Sequence, residues 1–102
     1  MAAFVFFDVK QVHDSGLLAA YRDRVFETVQ QFGGRYRVLG GFEAVLEGTW
    51  RPSIPVLIEF ESIEAARAWY GSDVYAPLLK QRLEAADCDS VLLAGFDRRT
   101  GG

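Results

Sequence analysis

Apolar residues recur with two different periods along this chain, and together the two periods predict a mixed α+β domain. Alternation over 4–12 predicts a strand, and spacings of three and four residues predict a helix from Asp14 or Ser15 to about Phe32. Further strands are predicted at 35–47, 56–61 and 90–96. Gly40-Gly41 is interpreted as a bend within one long strand, because this interpretation gives the order β-α-β-β-α-β.

Two short helices are predicted between the last two strands. Ser62 caps the first, which ends at Gly71, and Ser72 precedes the second, whose regular part begins near Ala76 because Pro77 fits poorly inside a helix. The second helix is expected to turn the following residues inward: Tyr75, Leu79, Leu83 and Ala86. Right-handed crossovers then place all helices on one face of a four-stranded antiparallel sheet, which is the ferredoxin-like split βαβ fold.

Several strands are apolar on both sides, which one layer of helices cannot explain. The segments 4–7, 56–60 and 91–94 carry apolar residues at consecutive positions, a pattern typical of strands buried on both faces. Leaving the second face in water would forgo several kcal/mol at roughly 25 cal/mol per Å² of apolar surface. The sequence therefore predicts a homodimer in which two sheets pack face to face, a dimeric α/β barrel.

Composition narrows the class of protein further. The chain has 102 residues and a net charge of −3, so we expect a single domain over 1–97, a disordered polar tail over 98–102 and no nucleic-acid partner. One cysteine permits no internal disulfide, and no stretch approaches the length of a membrane span, so a cytoplasmic protein without a membrane partner is expected. A single histidine predicts no histidine-based metal site, and no cofactor motif is found.

A series of short motifs runs through nearly the whole chain: Gly33-Gly34-Arg35-Tyr36, Gly40-Gly41, Leu46-Glu47-Gly48-Thr49-Trp50-Arg51-Pro52, Ile58-Glu59-Phe60, Ala65-Ala66-Arg67-Ala68-Trp69-Tyr70, Ser72-Asp73-Val74-Tyr75, Arg82 and Gly95. In this order they resemble the family catalogued as domain of unknown function 1330. The resemblance implies a ferredoxin-like dimeric α/β barrel. The superfamily also includes cofactor-independent monooxygenases, small isomerases and lyases of polyketide-like rings, and haem proteins, but the family supplies no assigned activity.

The chain departs from the family pattern at two places. Leu39 stands where members typically have Arg before the two glycines, and Ile54-Pro55 stands where a basic residue is common. Both differences remove positive charge from the expected surroundings of Glu59.

Strand alternation predicts where the polar side chains point. Asp8, Arg37 and Glu59 are expected to converge inside the barrel, with Arg35, Arg37 and Leu39 on one face of their strand. Arg37 is predicted to pair with Glu59. Carboxylates buried near an arginine can support acid–base chemistry, with Glu59 or Asp8 as the base, but a structural ion pair at the dimer interface explains them more simply.

Four aromatic residues are candidates for lining a pocket that holds a flat ligand: Trp50, Trp69, Tyr70 and Tyr75. Helical spacing makes Trp69 and Tyr75 more typical of the core, whereas Trp50 lies in a turn. His13 could titrate near neutral pH, although a surface position is the simpler interpretation. Arg37 and His13 complete the set of candidate ligand-binding residues.

Three hypotheses about function remain open at this point. The first is a homodimer that binds a small aromatic or apolar molecule between sheet and helices, or serves as a pathway accessory. The second is a cofactor-independent monooxygenase, isomerase or cyclase that acts on an aromatic or polyketide-like substrate. The third is a purely structural dimer, which the absence of a cavity of ~300 Å³ would favour.

Overall fold

The computed structural model describes residues 1–96 and contains four strands and three helices. The predicted tail at 98–102 lies outside these residues. None of the helices within 1–96 is both long and apolar enough to span a bilayer. The elements follow in the order β1 (Ala3–Val12), α1 (Ser15–Gln31), β2 (Arg35–Leu39), β3 (Pro55–Phe60), α2 (Ile63–Tyr70), α3 (Ala76–Ala85) and β4 (Ala86–Ala94).

The strands form one antiparallel sheet in the order β2-β3-β1-β4. This arrangement confirms the predicted ferredoxin-like α+β fold, with α2 and α3 as the paired helices. Alternate residues of β1 and β3 form the core beneath the helices, and they are Ala3, Val5, Phe7, Val9, Ile58 and Phe60. The side chains between them point to the other face, which we call the open face.

Capping residues set the ends of α1 and α2 where the sequence predicts them. The Asp14 carboxylate accepts the Leu17 amide at 3.0 Å, and the Ser62 hydroxyl accepts the Ala65 amide at 3.0 Å. Inside the core a side-chain hydrogen bond joins the two helices, in which the Trp69 indole Nε1–H donates to Thr28 Oγ1 at 3.0 Å. Helix α2 is therefore held to α1 by a specific polar contact as well as by apolar packing.

The prediction of one long strand over 35–47 is wrong. Strand β2 ends at Leu39, and Gly40 takes a positive φ of 83° while its amide donates to the Pro55 carbonyl at 2.7 Å. Residues 40–54, which we call the connecting segment, contain no regular strand. The sheet keeps its order without residues 42–47, because β2 pairs directly with β3 and the segment only links them.

The inward face of α3 differs from the prediction at Leu83. Tyr75 and Ala86 are buried as predicted and Leu79 packs partly against the core, but Leu83 is 60% exposed. The residues buried within α3 itself are Leu78, Arg82 and Ala85. Positions 78, 82 and 85 repeat with the same helical spacing as 79, 83 and 86, so periodicity alone does not distinguish two adjacent stripes. Strand β4 begins at Ala86 rather than at Ser90, because it continues to pair with β1 as far as Val12.

The close packing at Gly34 gives a test of this core. A Cβ at residue 34 would lie 2.6 Å from Val29 Cγ1 and 2.7 Å from Phe60 Cε1, both of them buried. We expect Gly34→Ala to lower the free energy of unfolding by about 1–3 kcal/mol through overpacking, as measured by denaturant titration. The control is Gly41→Ala, where no atom lies within 4 Å of the added Cβ. Equal stability of the two variants would contradict this packing.

Candidate functional site

A cavity of about 330 Å³ lies between α1 and the helix-facing side of the sheet. Its walls are mostly aliphatic and aromatic and include Phe7, Leu18, Val25, Val56 and Ile58. The walls from β1 and β3 belong to the same alternation that builds the core, so the cavity is a gap in the core layer. It is large enough to hold a small molecule.

The inner end of the cavity is polar and is lined by Tyr21 of α1 and Arg82 of α3, both of which contact the hydroxyl of Tyr75. The hydroxyls of Tyr21 and Tyr75 lie 2.9 Å apart, and Arg82 Nε–H donates to the Tyr75 hydroxyl at 3.3 Å. Arg82 is only 3% exposed, and its guanidinium carbon lies 4.8 Å from the centre of the Phe7 ring. Arg82 therefore contacts both an aromatic face and a hydroxyl pair, and it lines the cavity.

Burial determines the protonation states at this polar end. Burial raises the pKa of Tyr21, and its interaction with Tyr75 raises it further. Burial likewise raises the pKa of Tyr75, although Arg82 opposes the shift. Burial disfavours the charge on Arg82, but its contacts with Tyr75, Tyr21 and Cys88 outweigh that effect, so its pKa lies above the ordinary value. At neutral pH the tyrosines are neutral and Arg82 is cationic.

A bulge in β2 decides which residues form the rim of the cavity. The register against β3 shifts between Tyr36 and Val38, so Tyr36 lies opposite Ile58 and Leu39 opposite Val56. Leu39 consequently joins Tyr36 at the cavity, where it is 56% exposed. The prediction that Arg35, Arg37 and Leu39 share a face fails at Leu39, because one extra residue reverses the alternation beyond it.

The open face carries the predicted pair of Arg37 and Glu59. Arg37 Nε–H donates to Glu59 Oε1 at 2.8 Å, and both side chains remain partly exposed. Glu59 lies opposite Phe4 in the register of β1 and β3. The predicted pairing is confirmed, but it lies on the side of the sheet away from the cavity.

Asp8 does not join this pair and has a different set of partners. Its carboxylate accepts the backbone amides of Ser53 at 2.8 Å and Ile54 at 3.2 Å. Asp8 lies opposite Pro55, four positions along β1 from the residue that faces Glu59. The buried carboxylate thus fixes the end of the connecting segment to the sheet, and the predicted convergence of three charged groups is not observed.

The remaining predicted site residues are dispersed through the fold. Trp69 is a fully buried core residue, as its helical spacing indicates, and Tyr75 is equally buried at the polar end of the cavity. Trp50 contacts the Phe6 ring edge-on at 6.1 Å, which places it on the open face. Tyr70 lines a separate surface groove beside β4. His13 lies at the surface, with Nε2 3.0 Å from Asp87.

Sequence reasoning assigned no role in the site to Tyr21 or Arg82. Tyr21 belongs to the apolar stripe of α1 and was assigned to the core. A signal for Arg82 does exist, because it follows the buried Tyr75 by seven residues, which is two helical turns. A charged residue on the same helical face as an inward aromatic is a candidate for a buried functional group.

Comparisons with known proteins agree with this fold. A protein of unknown function from Rhodopseudomonas palustris is 20% identical with a TM-score of 0.71, covering 94% of this chain and 83% of that chain. A dimeric ferredoxin-like protein of unknown function from Jannaschia sp. is 10% identical with a TM-score of 0.71, covering 93% of this chain and 100% of that one. SnoaB, a cofactor-independent oxygenase from Streptomyces nogalater, is 17% identical with a TM-score of 0.52, covering 94% and 93%.

No curated protein matches the chain. The sequence model of one family, described as a domain of unknown function, matches residues 2–96. This match spans nearly the whole chain, in agreement with the resemblance carried by the glycine and aromatic motifs. The chain belongs to the family of domain of unknown function 1330.

Proposed function

We propose that this protein is a homodimer that binds a small, largely apolar molecule in the cavity between α1 and the sheet. The observation that carries the proposal is the combination of an apolar cavity with polar groups at one end, Arg82 and Tyr21, which are both hydrogen-bonded to Tyr75. Ligand sites commonly combine mostly apolar walls with a few placed polar groups. A cavity of about 330 Å³ argues against a purely structural dimer filled by its own side chains.

The apolar open face supports the dimer. Val91 and Leu93 are 49% and 47% exposed, and the register places them opposite Phe6 and Phe4. Large exposed apolar patches usually mark interfaces. The Jannaschia protein of the same fold is described as dimeric. We further propose a cytoplasmic location and no nucleic-acid partner, on the basis of one cysteine and a net charge of −3.

A second candidate function uses the open face rather than the cavity. Glu59, paired with Arg37 beside Phe4 and near the apolar part of that face, would serve as the base of a cofactor-independent enzyme acting on an aromatic substrate. The observation that favours it is a carboxylate that lies, with its partner Arg37, beside the apolar residues of a face that the dimer would enclose. SnoaB has the same fold, but its 17% identity to this chain is evidence of a shared fold only and not of a shared activity.

Blocking the rim tests the cavity as the ligand site. We expect a neutral probe, 3-phenylpropan-1-ol, to shift the NMR amide signals of Leu18 and Val25, which line the cavity. Leu39→Trp should abolish these shifts, because the larger ring fills the rim. The control is Leu83→Trp, which replaces a leucine of similar exposure, 60% against 56%, on the outer side of α3. Equal shifts in the wild type and in Leu39→Trp would exclude the cavity as the site.

A charge on the open face tests the dimer. We expect light scattering at micromolar concentration to give the mass of two chains for the wild type and of one chain, or of aggregates, for Phe6→Asp. The added carboxylate would be unpaired among apolar groups in the interface. Leu83→Asp, on the outer side of α3, should leave the dimer intact. A monomeric wild type would contradict the proposal.

Glu59→Gln separates the two candidate sites. We expect the variant to change the free energy of unfolding by about 1 kcal/mol or less, because partly exposed ion pairs contribute little. We also expect unchanged binding of 3-phenylpropan-1-ol, since Glu59 lies on the opposite side of the sheet from the cavity. Loss of probe binding with stability retained would shift the site to the open face.

A further inference from the structure

The charge of Arg82 is not balanced within the described part of the chain. None of the salt bridges found among residues 1–96 includes Arg82, although three others are present, all between partly exposed side chains. Buried charges in proteins are usually paired or hydrogen-bonded. Arg82 has the ring of Phe7 and the hydroxyl of Tyr75 instead, and neither group carries a negative charge at neutral pH.

The polar end also has hydrogen-bond donors to spare. A guanidinium has five N–H groups, and the contacts of Arg82 with polar groups are those with Tyr75 and the Cys88 side chain. The two tyrosines have two hydroxyl protons, and only one of them lies in the bond between Tyr21 and Tyr75. When the Tyr75 hydroxyl, which accepts from Arg82, donates in that bond, the proton of Tyr21 is left for an acceptor in the cavity that Tyr21 lines.

The charged residues of the cavity walls also favour a negatively charged ligand. Two arginines, Arg82 at the inner end and Arg22 at the exposed rim, are among the described residues that line the cavity, and no aspartate or glutamate is among them. In a chain with a net charge of −3, this is a local positive region. Low-dielectric walls strengthen its attraction for an anion.

We infer that the cavity takes a compact apolar anion, a monocarboxylate whose hydrocarbon part fills the aliphatic walls and whose carboxylate meets Arg82 and the Tyr21 hydroxyl. This inference rests on the proposed function and narrows it to a ligand class. One buried cation matches one negative charge, and the planar guanidinium fits a carboxylate with two parallel hydrogen bonds. A dianion would bring a second negative charge that only the solvated Arg22 at the rim could offset.

The size of the cavity limits the acid to a short one. A water molecule occupies roughly 30 Å³ in the liquid. At that volume for each non-hydrogen atom, a cavity of about 330 Å³ has room for a molecule of the size of 3-phenylpropionate. The flat ring would lie among Leu18, Val25 and Ile58.

The test compares 3-phenylpropionate with 3-phenylpropionamide by isothermal titration calorimetry on the full chain. The two probes have the same shape and differ in charge. We expect the acid to bind about tenfold or more tightly than the amide, as charge-assisted hydrogen bonds imply. Arg82→Met should remove this preference, while Arg82→Lys, which retains the charge, should keep part of it. Circular dichroism and thermal melting establish that each variant is folded.

The wild-type comparison decides the inference even where Arg82→Met fails to fold. In that case Tyr21→Phe, which removes one hydroxyl at the polar end, should weaken the acid severalfold and the amide less, because a hydrogen bond to a charged carboxylate is stronger than one to a neutral carbonyl. Equal affinity for acid and amide, both lost in Leu39→Trp, would overturn the anion inference and leave the proposed cavity function intact. The inference would also be overturned if 3-phenylpropan-1-ol bound but neither the acid nor the amide did. If none of the three probes bound, both the inference and the proposed cavity function would be overturned.

Discussion

The structure depends on one asymmetry, which is that all three helices pack against the same face of a four-stranded sheet. The helix-facing positions of β1 and β3 are filled by core residues such as Phe7 and Phe60. The same strands carry Phe4, Phe6 and Leu57 on the other side, where no helix within residues 1–96 covers them. The fold thus creates one enclosed apolar layer and one open apolar face, and it places the cavity in the first and the Arg37–Glu59 pair on the second.

Features fixed by local chemistry could be predicted from the sequence. The ends of α1 and α2 are set by Asp14, Ser62 and the glycines that follow each helix, and capping acts within a few residues. The pairing of Arg37 with Glu59 was likewise accessible, because Arg37 lies at the bulge itself and the alternation is reversed only in the residues beyond it. The fold class followed from the order of these elements, even though the second strand was predicted to be too long.

The candidate site depends mainly on features that the hydrophobic periodicity of the sequence does not predict. The bulge in β2 moves Leu39 from the open face to the cavity, and a register shift leaves no mark on the hydrophobic pattern. Helix α3 offers two adjacent stripes with equal spacing, and packing against α1 selects the one that includes Arg82. The Phe7 ring and the Tyr75 hydroxyl favour burial of that arginine. Phe7 belongs to β1, which is distant in sequence, and Tyr75 directly precedes α3.

The connecting segment, residues 40–54, contributes to both the cavity and the open face. Its two ends, at Gly40 and Ile54, line the cavity, while its Trp50 rests on Phe6 of the open face. Asp8 clamps the returning end to β1 through two backbone amides. Shortening or lengthening this segment would alter the entrance to the cavity and the shape of the face offered to a second copy together. The ligand selection and the self-association proposed above would therefore not be separable targets for mutation within these fifteen residues.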